Sequence, residues 1–501
     1  MKLNARVLDI EGEWSALLNH RDAKALGVGL HDRISISSGK GSISVFAELT
    51  GTMVQPGQIG IYRDIADSLG VRDGEELDVE VAPTPLSVLH IRKKLRGSSL
   101  SKDEIYSVIS DVVSRRLSNL EVAGLLFAEQ FVGMSLDEIE SLTRAMVDTG
   151  ERLELPGRVV DKHSIGGVPG NKISLLVVPI IAASGLTIPK TSSRAVTSPS
   201  GTADTMEVLA NVEFTLEELR RIVTRVGGCI VWGGSLNIAP ADDLIIRVEY
   251  PLRIDPLPQM VASIMAKKMA VGAKHVVLDI PVGRGTKAET TEEGERIARL
   301  FSELGKRLGI RVRAALTYGG QPVGRAVGPA LEAREALSAL IDPQHYISRS
   351  LIEKSVGVAG LLLEDAGVAP PGRGYEVAKE ILYSGRAYSK FREILEAQGG
   401  NPNVRPEEVP VGDKVHVIEA PADGFVTYVD NDAIAETARA AGAPRDRGAG
   451  VVLRAKVGHV VRKGEALMEI YAERFTKLQE ALSIVAARPP LIVEGMILKW
   501  M

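Results

Sequence analysis

A single cysteine, Cys229, stands among 501 residues. No intrachain disulfide can therefore form, and a zinc cage built from thiolates is excluded. Gly227 and Gly228 precede Cys229 and no histidine adjoins it, so it reads as a small core residue rather than a nucleophile. A basic excess is also missing. Sixty Lys and Arg against 64 Asp and Glu leave a net charge of −4, which gives no support to nucleic-acid binding. Long apolar runs are missing too. The longest, ISLLVVPIIAASG from Ile173 to Gly185, is too short and too interrupted to span a bilayer, so no membrane partner is expected. The opening MKLNARVLDIEGEW has no signal-peptide apolar stretch, and a cytoplasmic location is expected. What is present is ordinary for a globular chain, 45% hydrophobic and 25% charged, but too long for one core.

Four regions are expected. Residues 1–84 hold a weak internal repeat. Ala23, Leu26, Gly27 and Val28 match Ala66, Leu69, Gly70 and Val71. Each copy reads as a helical turn, a glycine break and an alternating strand, which suggests a duplicated β-barrel of the double-psi type. Residues 85–156 are helical. Ser101–Glu104, Ser118–Glu121 and Ser135–Glu138 have the Ser-x-x-Glu spacing of the capping box, and a stripe of Leu120, Ala123, Leu126 and Phe127 reads as the buried face. The helical stretch from Gln259 to Gly272 packs back onto them, so the helical domain takes in about residues 240–270. Residues 157–239 and 271–404 alternate short apolar strands with helices, an α/β domain expected to have a mixed sheet and ligands at the carboxyl ends of its strands. Residues 405–501 are β-rich and resemble the hammerhead of lipoyl and biotinyl domains, here an α+β domain without the lysine that carries such a cofactor.

Two loops carry the chemistry. DKHSIGGVPGNKISL, from Asp161 to Leu175, puts polar groups and glycines between a strand and an apolar helix. Glycines let the backbone approach an anion, and a helix N-terminus offers free N–H groups and partial positive charge. Lys162 adds a full charge, and Ser164 and Ser174 add donors. The spacing is neither that of a Walker loop nor that of a dinucleotide fingerprint. The second loop, from Lys190 to Leu209, is dense in hydroxyls: Thr191, Ser192, Ser193, Thr197, Ser198, Ser200 and Thr202. Hydroxyls and backbone donors can hold phosphate or ribose without a metal. A plain surface turn remains the alternative for either loop taken alone. No cluster of His, Asp and Glu with ligand-like spacing lies near them, so neither a metal nor another cofactor is expected.

These loops, followed by Ser263-Ile264-Met265-Ala266-Lys267-Lys268, resemble the thymidine/pyrimidine-nucleoside phosphorylase family over about residues 85–501. The bacterial nucleoside enzymes have a glycine-rich second motif, where this chain reads from Ser192 to Thr202 with Ala195, Val196 and Pro199. The first motif is one residue longer, with Pro169-Gly170-Asn171. With the extra N-terminal domain, these departures resemble the archaeal-type AMP phosphorylases. The resemblance implies that Lys162, Ser164, Ser174, Ser192 and Thr202 bind inorganic phosphate. It places Gly167, Thr202 and the run Ser193, Arg194, Ala195, Val196, Thr197 and Ser198 at the nucleotide, with Ser263 and Lys267 facing the base and Lys287 as a further nucleotide contact. Asp255 falls at the proton donor, with His163 as the second candidate. Arg247 and Arg253 both lie near the position of a base-contacting arginine.

The implied reaction is phosphorolysis of AMP to adenine and ribose 1,5-bisphosphate, in nucleotide salvage and degradation, with CMP and UMP as further substrates. The partners implied are AMP and inorganic phosphate, in a homodimer that assembles into larger homo-oligomers through the N-terminal domain. The rivals are a thymidine/pyrimidine-nucleoside phosphorylase, a phosphoribosyltransferase and a nucleotide-sensing scaffold.

Overall fold

Buried and exposed residues alternate along Lys2–Leu8, Arg33–Ser38 and Glu76–Val81, the period-two signature of strands with one face inside. They are β1, β3 and β6 of a closed barrel. β2 (Ser15–Asn19), β4 (Gly41–Thr50) and β5 (Gln58–Tyr62) complete it, in the order β1-β5-β2-β4-β3-β6. Ile34, Ile36, Ile59 and Ile61 fill its core. The internal repeat appears as two matching helical turns, α1 (His20–Leu26) and α2 (Arg63–Leu69). Each ends at a left-handed glycine, Gly27 at φ 75° and Gly70 at φ 62°, whose N–H closes the turn on the carbonyls of Ala23 and Lys24 or of Ala66 and Asp67. A side chain at that φ would be strained.

The computed structural model describes residues 1–10, 12–195 and 198–495. The chain divides into two units, Met1–Thr149 with Pro240–Met260, and Gly150–Ala239 with Val261–Met501. Beside the barrel, the first unit holds α3 (Leu86–Leu95), α4 (Lys102–Val113), α5 (Asn119–Phe131), α6 (Leu136–Asp148) and α10 (Pro240–Leu252). All three expected capping boxes form, each with both reciprocal hydrogen bonds. The stripe expected on α5 is corrected. Ala123 and Leu126 are buried, but Leu120 is 81% exposed and Phe127 37%. The buried face runs instead through Val122, Leu125, Leu126 and Glu129, because α3 and α10 pack on that side.

The second unit is built on β7 (Val160–Ser164), β8 (Ile188–Ser192), β9 (Gly228–Trp232), β10 (His275–Val282) and β11 (Arg311–Tyr318). The expected mixed sheet is not found among the described residues. β11-β10-β7 and β8-β9 pair in parallel, and a parallel bridge from Val159 to Thr187 links β7 to β8. The reason is connectivity. Each link between successive strands contains a helix, among them α7 (Ser174–Ala183), α8 (Thr202–Glu207), α9 (Leu216–Val226), α11 (Leu257–Ala270) and α12 (Thr291–Leu308), and such crossovers return the chain in the same direction. α13 (Pro329–Ile341) and α14 (Arg349–Asp365) follow. The C-terminal strands form two further antiparallel sheets around a core of Val426, Ile434, Val451, Met468 and Ile470.

Candidate active site

Because β7 and β8 run in parallel, their carboxyl ends open on the same side. Lys162, His163 and Ser164 close β7, and Thr191 and Ser192 close β8. The loop after β7 turns through Gly166 (φ 90°), Gly167 (φ 88°) and Gly170 (φ 70°). Gly167 lies directly on the turn after β10. A Cβ there would stand 2.7 Å from the Lys287 backbone nitrogen and 2.9 Å from Thr286 Cα. Both its φ and this approach require glycine. Gly170 is pressed as closely, with the carbonyls of Ala326 and Val323 at 2.7 and 2.8 Å from a Cβ position. Two residues on, Lys172 anchors the start of α7. Its buried ammonium donates to Val323 O at 2.9 Å and to Glu335 at 2.7 Å.

The loops enclose a cavity of ≈ 280 Å³. Of the residues singled out from the sequence, Lys162, His163, Ser164, Gly167, Ser174, Ser192, Ser193, Arg194, Ser198, Thr202, Lys267 and Lys287 line it. Ala195 and Ser263 do not; Ser263 sits one turn before Lys267 on α11. Val196 and Thr197 lie outside the described residues. Asp255 belongs to the first unit, exposed in the turn between α10 and α11.

The cavity is strongly cationic, lined by Lys162, Lys190, Lys267, Lys268 and Lys287, with Glu332 as its one carboxylate among the described residues. Lys268 is committed to Asp161 at 2.6 Å in a buried pair. Burial, opposed by Asp279, lowers Lys162 to about 8. Burial and the neighbouring Lys268 push Lys190 well below its ordinary value. Burial together with Lys268, Lys190, Lys162 and Lys267 holds His163 well below the usual histidine range, so its ring is neutral at pH 7. Ser174 Oγ, Thr191 Oγ1 and His163 Nδ1 belong to residues that line this space, and they are buried without a hydrogen-bond partner among the described residues. A buried polar group left unpaired costs about 1–3 kcal/mol. A multiply charged oxyanion would supply acceptors for hydroxyls and compensate buried ammoniums together.

Asp279 organises this charge. It is buried on β10, where Oδ1 accepts from Thr317 Oγ1 at 2.6 Å and Oδ2 accepts from Asn171 Nδ2 at 3.0 Å. Lys354 Nζ stands 3.0 Å from the same Oδ2. Asn171 in turn donates to Ser164 Oγ at 2.8 Å. Burial resists its ionisation, but Lys354 and Lys162 overcome this and hold its carboxyl below the usual range. The sequence reading missed Asp279, Asn171, Lys190, Lys268 and Glu332. The available signal for Asp279 was one acid inside an otherwise apolar strand, VVLDIPV.

Arg194 lines the cavity with its guanidinium engaged by carboxylates. Its guanidinium donates to both oxygens of Glu207 at 2.7 and 2.8 Å and to Glu213 at 2.8 Å, and it lies 4.9 Å from the centre of the Trp232 ring. Its charge braces the second loop. Asp204 braces the same loop by accepting from the N–H groups of Ala195 and Gly201 at 2.6 and 2.8 Å. Cys229 is fully buried on β9 and its thiol is pushed up by burial, as a core residue. Among the described residues no group of three or more His, Cys, Asp or Glu is placed to hold a metal, and no helix is long and apolar enough to cross a membrane.

Residues 89–150 match the glycosyl transferase family helical bundle domain, and residues 156–388 match its a/b domain. Residues 425–488 match the pyrimidine nucleoside phosphorylase C-terminal domain. AMP phosphorylase 1 of Archaeoglobus fulgidus is 52% identical over 489 residues, 97% of this chain and 96% of the relative. AMP phosphorylase of Thermococcus kodakarensis is 50% identical over 501 residues, 100% of this chain and 99% of the relative. In fold, anthranilate phosphoribosyltransferase from Thermus thermophilus aligns with a TM-score of 0.53 at 22% identity, covering 62% of this chain and 99% of that one.

Proposed function

Since the chain belongs to the AMP phosphorylase family, built on the glycosyl transferase helical bundle and a/b domains, we infer that it is a pentosyltransferase that cleaves AMP with phosphate. The products are adenine and ribose 1,5-bisphosphate. The observation that carries this reading is the set of buried hydroxyls, unpaired among the described residues, in a cavity lined by buried lysines, a site suited to an oxyanion.

Phosphate held by Lys162, Ser164, Ser174, Ser192 and Thr202 presents an oxygen to C1′ of the ribose. The C1′–N9 bond breaks as the C1′–O bond forms, and its electron pair leaves with adenine. The sugar passes through a cation-like state, which the positioned phosphate stabilises. A proton delivered to the base eases its departure. We assign that proton to Asp255. His163 ranks second, and its low basicity among four lysines supports that order.

The 5′-phosphate needs a second anion contact. We assign it to Lys287, the donors around Gly167, and Ser198, with Arg194 shaping the loop through its carboxylates. CMP and UMP are further candidate substrates. A site built for a dianion loses binding energy when the group is missing, about 1.5–3 kcal/mol per charged hydrogen bond. Two such bonds are worth roughly two to four decades in kcat/KM. AMP should therefore outperform adenosine at least about a hundredfold, and Lys287→Ala should narrow the gap by harming AMP. Phosphate-dependent release of adenine, measured by chromatography, checks this. Equal turnover of AMP and adenosine would refute it.

The two parallel pairs β1–β5 and β2–β4 support a double-psi barrel, and the paired C-terminal sheets support a hammerhead-like domain. The grouping of 240–260 with α3–α6 supports a helical domain of 85–156 with about 240–270. The other boundaries proposed are 1–84, 157–239 with 271–404, and 405–501. Exposed Leu120, Phe127 and Phe131 on one face of α5 support a homodimer, with residues 1–84 joining dimers into larger assemblies. A free nucleotide as substrate fits a cytoplasmic location.

A further inference from the structure

Glu332 is out of keeping with the rest of the cavity. It stands in the first turn of α13, buried to 4% exposure, and lines the same cavity as Gly170, Ser174, Gly201 and Thr202. Its carboxylate takes one hydrogen bond among the described residues, from Gly328 N–H at 3.1 Å. A carboxylate serving only to cap α13 could sit anywhere near that N–H. This one borders the space that the lysines and hydroxyls make attractive to anions, where a fixed negative charge would repel them.

The charged groups facing it are Lys172 before α7, Asp204 on α8 and Glu335 on its own helix. Lys172 is already bound to Glu335 at 2.7 Å, so its charge is shared. Burial, with Glu335 and Asp204 adding to it and Lys172 opposing, pushes Glu332 up to about 7. It therefore exchanges a proton near neutrality, and so does inorganic phosphate.

We propose that Glu332 is a specificity-determining residue for the attacking anion, sharing a proton with one phosphate oxygen. Either the carboxylate accepts from a P–OH of dihydrogen phosphate, or the carboxylic acid donates to an unprotonated oxygen of hydrogen phosphate. Both arrangements contain one proton between two oxygens, and neither consumes any other reactant. Arsenate, which also keeps an ionisable O–H near neutral pH, is admitted. Sulfate has no such proton, so above neutrality it meets an ionised carboxylate with nothing between them. The role rests on the reading of this cavity as the phosphate site of a phosphorylase.

Calorimetric titration of the full chain with inorganic phosphate, arsenate and sulfate at pH 8 tests it, beside steady-state phosphorolysis of AMP. Glu332→Gln removes the negative charge and adds a donor. Sulfate should bind roughly tenfold more tightly to the variant and phosphate roughly threefold more weakly. The preference for phosphate and arsenate over sulfate should thus fall by more than about tenfold. An unchanged preference overturns the proposal. Should the Gln variant fail to fold, Glu332→Asp carries the test. Its shorter carboxylate withdraws from the anion, and the preference should fall by a smaller factor in the same direction, again with no change as the refuting result. The two readings fail separately. Wild-type protein that releases no adenine from AMP and phosphate defeats the phosphorylase assignment, whereas the titrations report on Glu332 without turnover.

Discussion

Replacing Asp279 with asparagine should move the loss of phosphate use with rising pH to lower pH. Lys162 stands at about 8 because burial lowers it while Asp279 raises it. A neighbouring opposite charge typically moves a pKa by about 1–3 units. Neutralising Asp279 should bring Lys162 to about 5–7. A lysine binds anions while protonated and loses that ability as pH rises through its pKa. At pH 8 the wild-type lysine is about half protonated, and a variant lysine near 6.5 would be only a few per cent protonated. The variant's kcat/KM for phosphate should fall about tenfold at pH 8 and by little at pH 6. The assay is adenine release from AMP at varied phosphate, from pH 5.5 to 9. Taking the wild-type to variant ratio at each pH cancels the ionisation of phosphate itself. Breaking the buried pair with Lys354 should also cost about 3–5 kcal/mol of stability, so circular dichroism must confirm folding at each pH. Lys162→Arg provides the complement, because an arginine stays charged and the fall above pH 8 attributable to Lys162 should disappear. A defect of equal size at every pH would refute the electrostatic role of Asp279.

Asp255→Asn should lower kcat roughly a hundredfold or more, the scale of general acid catalysis, with nucleotide binding retained. Near-normal Asp255→Asn beside inactive His163→Gln would reverse their roles. Within the first unit, buried Glu129 is pushed up to about 8 by burial and by Glu249. The folded state thus holds this proton more tightly than the unfolded chain does. The group's contribution to stability is greatest below about pH 4.5 and declines as pH rises to about 8. Glu129→Gln should accordingly raise Tm at pH 9 relative to wild type more than at pH 5, measured by calorimetry, and equal shifts would refute the assignment. Deleting residues 1–84 should lower the mass seen by light scattering but leave a dimer, and an unchanged mass would count against an assembly role for the barrel.

The legible parts of this protein were those governed by local rules. Ser101, Ser118 and Ser135 start helices because a hydroxyl and a glutamate three residues on satisfy free N–H groups within one turn. Gly27 and Gly70 end helical turns for an equally local reason, their freedom at positive φ. The five apolar strands and the two loops that follow β7 and β8 were visible from pattern and from resemblance to a family. Which face of α5 is buried was not. Leu120 and Val122 are both apolar, and only the neighbours α3 and α10 decide between them.

The sequence by itself determined where helices begin, where the backbone must be glycine, and which loops are rich enough in lysine and hydroxyls to hold an anion. The tertiary structure alone decided which charges remain for the ligand. Arg194 looks available in the sequence, but Glu207 and Glu213, 13 and 19 residues away, occupy its guanidinium. Asp279 looks like an accident in an apolar strand, but Lys354, from a helix beyond β11, meets it. The physical reason is range. Capping and turn formation are settled within a few residues of backbone, whereas Coulombic pairing and desolvation depend on distances through space that exist only after β7, β10 and α14 have packed together.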